Sequence, residues 1–170
     1  KDWYVVPDSI SATTYTYTFL CETDPINNDD PHCGEYEEMT ISTDFNKPCI
    51  KVYTDKLSSM DARIKCDTND FGSLATIHND QENNYIRRTA NGLGIVGAVH
   101  IGAHQPTENP KNWTWVDGET PIDGKSYDNF IGSFPIPGAG SCVAMLTESS
   151  SALWINEDCE EDALPFVCRR

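Results

Sequence analysis

Apolar positions along the first part of the chain predict two strands followed by a helix. Threonine alternates with aromatic residues at positions 13–19, and Ile50-Lys51-Val52-Tyr53 repeats the same period of two, so both segments are predicted to be strands. Ser58 or Ser59 is a candidate N-cap for a helix that continues to Cys66 with a half-apolar pattern. Residues 22–48, between the two predicted strands, are rich in Asp, Asn, Pro and Glu and are predicted to be a polar loop.

A second helix is predicted after the short buried run at residues 74–77. Asn79 or Asp80 is its candidate N-cap, Tyr85-Ile86 gives it an apolar face, and Asn91-Gly92 closes it. The last seventy or so residues contain short apolar runs separated by Gly, Pro, Asn and Asp turns. Two helices followed by short strands indicate an α+β fold rather than a doubly wound sheet.

Length and charge narrow the function classes. The chain has 170 residues, enough for one domain, and 38% of them are apolar, enough for a core. Its net charge of −15 repels phosphate backbones and anionic lipids, which makes nucleic acid and membrane surfaces poor partners. No apolar run approaches the ~18 residues that a membrane helix needs, so we expect no membrane insertion. The sequence opens at Lys1 without an apolar leader, and we expect a processed form.

The cysteines indicate the compartment. No two of the seven lie closer than nine positions, which argues against zinc pairs and against a redox Cys-x-x-Cys. We therefore expect disulfides, a secreted extracellular protein and one cysteine left over, with the pairing open at this stage. The seven are Cys21, Cys33, Cys49, Cys66, Cys142, Cys159 and Cys168.

Other candidate chemistry is weak. His100 and His104 lie four apart without the glutamate of a zinc protease helix, so we expect structural or surface histidines and no metal. Residues 138–141 are glycine-rich but lack the lysine of a phosphate loop, and a nucleophile elbow is absent from the sequence. The acidic run 157–162 has calcium-type oxygens, but a solvated loop is the favoured interpretation. Asn112 begins the one glycosylation sequon.

Several motifs in order resemble one family. From Cys49 to Cys168 the chain is similar to a C-type lectin-like domain. The resemblance implies that this domain spans residues 33–170, with the core match at 49–170, and that residues 1–32 are an N-terminal extension. The motifs that carry the resemblance are the following segments: His100-Ile101-Gly102-Ala103, Trp113-Thr114-Trp115-Val116-Asp117-Gly118, Tyr127-Asp128-Asn129-Phe130, and Trp154 to Cys159 before Phe166-Val167-Cys168.

The resemblance implies a pairing of the cysteines. It gives Cys66–Cys168, Cys142–Cys159 and the N-terminal bridge Cys33–Cys49. Cys21 is then unpaired or links two chains in a disulfide-bonded dimer. The tryptophans at 113, 115 and 154 are predicted to anchor the core rather than to stack on sugars.

The family implies recognition without catalysis. We expect a module that binds a glycan or a protein through a loop between about Gly118 and Cys142. An acidic surface would steer a basic protein partner. The alternatives are a calcium-independent protein-binding or structural extracellular component and, less favoured, a secreted hydrolase.

The resemblance also predicts that the family's principal calcium and sugar site is degenerate. Sugar-binding members resemble one another in a loop triplet and a Trp-Asn-Asp motif, both of which supply oxygen ligands. Here the triplet aligns with Phe134-Pro135-Ile136 and the second motif with Trp154-Ile155-Asn156. A shift to Pro137 restores no oxygen, so we expect no cofactor unless Glu148, Glu157 or Asp158 is recruited. The expected ligand-binding residues are Phe134, Pro135, Ile136, Asn156, Glu157 and Asp158.

Overall fold

The computed structural model contains two helices and nine short strands among the residues it describes, which are 33, 36–39, 48–70, 72–106, 112–118, 121–122 and 126–170. In chain order they are β1 (Glu37–Glu38), β2 (Cys49–Leu57), α1 (Ser59–Asp70), β3 (Ser73–Leu74), α2 (Asp80–Gly92), β4 (Ala98–His104), β5 (Trp113–Trp115), β6 (Pro121–Ile122), β7 (Cys142–Leu146), β8 (Trp154–Glu157) and β9 (Leu164–Arg169). The predicted α+β class is confirmed.

Helix α1 begins where the sequence places its cap. The Ser58 hydroxyl accepts a hydrogen bond from the Asp61 N–H at 3.1 Å, so Ser58 rather than Ser59 is the capping residue. Ala62 and Cys66, one turn apart, are fully buried. The helix is therefore held to the sheet along one narrow stripe.

Helix α2 is fixed at both its cap and its buried face. Asn79 is the N-cap and accepts a hydrogen bond from the Glu82 N–H at 2.9 Å. The Glu82 carboxylate in turn accepts from the His78 N–H at 3.0 Å and from Arg169 at 3.1 Å, which ties the helix start to the last strand. Ile86 is fully buried, as the apolar period predicts.

The sheet joins the two ends of the domain. Strand β2 pairs antiparallel with β9, with Ile50 opposite Arg169, and β9 runs parallel to β4 at Phe166 and His100. Strand β4 also pairs with β7, and β7 pairs with β8 so that Val143 faces Asn156. This register brings β8 beside the segment that precedes β7.

Aromatic side chains form the centre of the core. Trp115 and Trp154 are almost fully buried and meet edge to face with ring centroids 5.5 Å apart, while Trp113 is also buried. The predicted core role of all three tryptophans is confirmed. The Trp154 indole N–H donates to the Asn83 side-chain oxygen at 2.9 Å, so its polar atom is satisfied inside the core.

The structure contains the three disulfides that the resemblance implies. Cys66–Cys168 joins α1 to β9, Cys142–Cys159 joins the start of β7 to the acidic loop after β8, and Cys33–Cys49 clamps the start of β2. Since Cys66 and Cys168 are 102 residues apart, their bridge closes most of the domain.

The prediction of a polar loop over residues 22–48 is wrong in part. Within its described residues, Glu37–Glu38 forms β1 against β2, and Tyr36 and Met39 are buried. Residues Cys33–Arg170 form a compact unit. The predicted strand at 13–19, the extension 1–32 and Cys21 lie outside the described residues, so the domain division stays a prediction.

Candidate ligand-binding loop

The loop at residues 131–141 leaves the core beside Trp154 and returns into β7. Phe130 forms a bridge with Trp154, and the Ile131 N–H donates to the Trp154 carbonyl at 3.0 Å. Just upstream, the Tyr127 hydroxyl donates to an Asp80 carboxylate oxygen at 2.8 Å at the start of α2. The loop therefore starts from a rigid base.

The predicted triplet lies at the outer part of this loop. The Phe134–Pro135 peptide bond is cis, and both residues are half-buried, whereas Ile136 is 40% exposed. Two turns fold the loop, because the Phe134 N–H donates to the Ile131 carbonyl at 2.8 Å and the Ala139 N–H to the Ile136 carbonyl at 3.1 Å. Charged residues are absent from 131–147, all of which are described.

The side chain of Asn156, on β8, forms hydrogen bonds with the backbone of the loop. Its side-chain oxygen accepts the Ile136 N–H at 2.7 Å, and its side-chain nitrogen donates to the carbonyls of Ile136 and Gly140 at 2.9 Å each. The side chain is buried, so these bonds lie out of water and are costly to break. Asn156 therefore fixes the position of the loop backbone rather than presenting its amide to solvent.

Gly140 explains why the loop fits so closely over β8. Its φ of 124° lies in the region that glycine tolerates, and a Cβ at this position would overlap the Glu157 carbonyl. Glycine at 140 is required by this close approach.

The residues at the degenerate site do not fit calcium. Calcium takes six to eight oxygen ligands, and the side chains at 134, 136 and 155 are apolar. The Asn156 oxygen is already a hydrogen-bond acceptor, and the Glu157 carboxylate faces His100. The described residues also contain no cluster of three or more metal-ligating His, Cys, Asp or Glu side chains.

His100 and Glu157 form a buried pair next to this site. The His100 Nε2 faces the carbonyls of Leu57 at 2.9 Å and Asp162 at 3.1 Å, and because carbonyls only accept, Nε2 carries a hydrogen. The Nδ1 contacts a Glu157 carboxylate oxygen, so the two side chains hold a second proton between them. This pair links β4, β8, the end of β2 and the acidic loop.

The environment of the pair favours retention of that proton. Burial opposes the charge on His100, but the hydrogen bond and negative charge of Glu157, with the two carbonyls, outweigh it and raise the pKa of the imidazole. Burial raises the pKa of Glu157 as well, with the charges of Asp162 and Asp158 adding to it, against the opposing effect of His100. The sequence expectation of a structural histidine is confirmed at His100, which is fully buried.

The prediction of a solvated acidic run is wrong for Glu157 and right for the rest. Glu157 is buried, whereas Asp158, Glu160, Glu161 and Asp162 are exposed. Hydrogen bonds from the Glu160 and Glu161 N–H groups to the Asp158 carboxylate lower the pKa of Asp158 and fold the turn on itself. The acidic residues thus form a surface turn around Cys159.

Of the remaining predicted residues, Asn112 and Glu148 lie outside the loop and Pro137 lies on it. Asn112 is exposed at the edge of β5, next to the buried Trp113. Glu148 is exposed beyond the end of β7, and Pro137 is exposed on the loop itself. Of the six predicted ligand-binding residues, Asn156 and Glu157 are buried, Phe134 and Pro135 are half-buried, and Ile136 and Asp158 are exposed.

Comparison with known proteins agrees with this fold. The model of the Lectin C-type domain matches residues 55–170. Rat (Rattus norvegicus) lithostathine is 28% identical over 130 residues, which are 75% of this chain and 75% of that protein. The crystal structure of human lithostathine superposes with a TM-score of 0.63 at 26% identity, covering 72% of this chain and 82% of that one.

A calcium-independent type II antifreeze protein has the same fold, with a TM-score of 0.58 at 24% identity over 72% of this chain and 85% of that one. The family match covers more than half of the sequence. The chain therefore belongs to the C-type lectin domain family, whose members are generally non-catalytic. Within the described residues, no helix is long and apolar enough to cross a membrane.

Proposed function

We propose that this domain is a secreted, extracellular recognition module that binds its ligand without calcium and without catalysis, through the face of loop 131–141. Ile136 lies at the exposed centre of this face, with Phe134 and Pro135 beside it. Three disulfides in one domain support an oxidising, extracellular location.

The observation that carries this proposal is the hydrogen bonding of Asn156. Its three bonds connect β8 to both sides of the loop, at Ile136 and Gly140. A loop that is ordered by an internal amide needs no ion to order it, and less conformational entropy is lost when a ligand binds. The arrangement supports recognition that is insensitive to chelators.

The chemistry of the loop face favours a protein ligand over a glycan. Recognition of sugar hydroxyls requires polar side chains placed to exchange hydrogen bonds, whereas the loop offers Ile136, Phe134 and prolines. Exposed apolar side chains on a rigid base are typical of protein interfaces. The net charge of −15 lies elsewhere on the chain, where it raises the encounter rate with a basic partner.

Binding arrays with and without a chelator test the proposal. The purified domain is applied to an array of extracellular proteins and to a glycan array, each in calcium and in EDTA. We expect chelator-insensitive binding to a protein. Binding to mannose or galactose that EDTA abolishes would contradict the proposal, and chelator-insensitive glycan binding would replace the protein ligand with a glycan.

Matched variants locate the binding face. Ile136→Asp puts a charge at the centre of the loop, and we expect it to weaken binding at least tenfold, as a charge at an apolar hot spot does. Val96→Asp is the control, because Val96 is 76% exposed on the turn before β4. Equal loss in both variants would argue against the loop as the site.

Calorimetry tests the calcium part separately. We expect no micromolar calcium binding to the wild-type domain. Micromolar binding that Asn156→Ala removes would show that Asn156 is a ligand and that the loop is metal-dependent.

Two further expectations from the sequence remain proposals. We propose that Cys21 links two chains and that Asn112 carries a glycan in part of the population. Mass spectrometry of non-reduced peptides, before and after glycosidase treatment, tests both. Detection of Cys21 only as a free thiol would refute the first proposal, and detection of the Asn112 peptide only in its unmodified form would refute the second.

A further inference from the structure

A groove of about 620 Å³ lies beside the Cys142–Cys159 disulfide. Its walls come from the start of α1, the end of β4 and the residue after β5. The partly or fully exposed apolar side chains that line it are Met60, Pro106 and Val116. Its size is that of a small-molecule site, and no residue of the triplet 134–136 lines it.

Arg63 provides a positive charge in this groove. Its side chain lines the groove and is exposed, and no described carboxylate forms an ion pair with it. Other described cations, such as Lys56 and Arg88, also lack a described acidic partner, but among them only Arg63 lines the groove. Arg63 is therefore available to an external anion.

His104 lies in the same groove with an unsatisfied atom. Its Nδ1 is buried and has no hydrogen-bond partner among the described residues. Burial, and then the charge of Arg63, lower the pKa of the imidazole, so His104 is neutral near pH 7. An anion bound at Arg63 would offset the positive charge of the guanidinium and so reduce its lowering of the His104 pKa.

We propose that this groove binds a small organic anion, a free carboxylate with an apolar body. The carboxylate pairs with the Arg63 guanidinium, and the apolar body lies against Met60 and Val116. Because a bound anion favours protonation of His104, binding takes up protons and strengthens as pH falls. The groove does not include the triplet 134–136, although Ser141 at the end of loop 131–141 lines it.

Methionine NMR gives a local readout. Met60 lines the groove and is half exposed, whereas the other two methionines, Met39 and Met145, are fully buried. In the full chain labelled at the methionine methyl groups, we expect hexanoate to shift the Met60 signal in a saturable way. The signals of Met39 and Met145 serve as internal references.

Comparison of three probe molecules separates the contribution of charge to binding from that of apolar contact. Acetate supplies the charge without the apolar body, and hexanol supplies the body without the charge. We expect both to bind more weakly than hexanoate, and hexanoate to bind more tightly at about pH 6 than at about pH 8. Hexanol that binds as well as hexanoate would overturn the proposal.

Variants test the two polar residues. Arg63→Gln should weaken hexanoate binding roughly two- to fivefold, the range of an exposed ion pair, while Arg88→Gln, an exposed arginine of α2 outside the groove, should not. His104→Gln should remove the pH dependence. The proposal would be overturned if the Met60 signal shows no saturable shift, as when another part of the chain fills the groove. It would also be overturned if Arg63→Gln binds hexanoate as tightly as the wild type.

Discussion

Replacement of Glu157 by glutamine should invert the pH dependence of stability that the buried pair creates. The substitution keeps the shape of the side chain but removes the carboxylate that faces His100. In the wild-type domain the pKa of His100 is raised above its unfolded value of 6.5. The contribution of the pair to the free energy of unfolding is therefore complete below about pH 6.5, and it is lost as pH rises through the pKa of His100 in the folded state.

In the Glu157→Gln variant the sign reverses. Without the carboxylate, burial is the main influence on His100 and lowers its pKa, so the folded state binds its proton less tightly than the unfolded state. Stability should then rise with pH through about 6.5, with a slope of at most ~1.4 kcal/mol per pH unit for one proton.

The magnitude follows from the burial of the pair. The two side chains are 0% and 7% exposed, and breaking such a pair costs about 3–5 kcal/mol when a charge is left alone. Glutamine leaves no charge of its own, so we expect the free energy of unfolding to fall by about 3 kcal/mol near pH 6 and by about 1 kcal/mol near pH 8.5.

Urea unfolding at a series of pH values is the assay. Fluorescence of the buried tryptophans reports the transition, with the disulfides kept intact. Glu161→Gln is the control, because it makes the same change of carboxylate to amide in the same acidic turn and Glu161 is exposed. If Glu157→Gln shifts the wild-type curve by a constant amount at all pH values, the reasoning about the shared proton is refuted.

Three other changes are expected to act through single contacts. The pair Cys66→Ala/Cys168→Ala should lower the free energy of unfolding by about 4–5 kcal/mol, since the bridge closes a loop of about 100 residues; a loss below 1 kcal/mol in calorimetry would exclude this account. Gly140→Ala should destabilise the domain strongly because its Cβ overlaps a carbonyl of β8, whereas Gly138→Ala, with φ of 83° and open space, should cost only about 1 kcal/mol in the same urea assay. Asn83→Ala should cost about 1–3 kcal/mol by leaving a buried indole N–H unpaired, measured as a lower thermal midpoint, and an unchanged midpoint would count against that hydrogen bond.

Local signals in the sequence were sufficient for the helices and for part of the sheet. The N-cap Asn79 and the apolar face at Tyr85-Ile86 define α2, because cap and period act within one segment, and the predicted end at Gly92 is the last residue of the helix. The alternation at 50–53 likewise predicts β2.

The interior of the candidate site could not be predicted in the same way. Asn156 meets Ile136 across 20 positions, and His100 meets Glu157 across 57, so both contacts depend on the register of β7, β8 and β4. In the sequence, Glu157 is the first residue of an acidic run, and nothing local distinguishes it from its exposed neighbours. The family resemblance predicts a loop without calcium ligands but gives no indication of the hydrogen bonds that Asn156 makes to the loop backbone.

The position of the Cys66–Cys168 bridge also determines how the domain responds to mechanical tension. Strands β2 and β9 lie side by side with Ile50 opposite Arg169, so a force between residues 48 and 170 would peel them apart one hydrogen bond at a time. With the disulfide intact, the load passes from Cys66 directly to Cys168, and residues 67–167 carry none of it. The loop at 131–141 lies inside the shielded segment, so its binding face would keep its shape while the ends of the domain are stretched, until the disulfide is reduced.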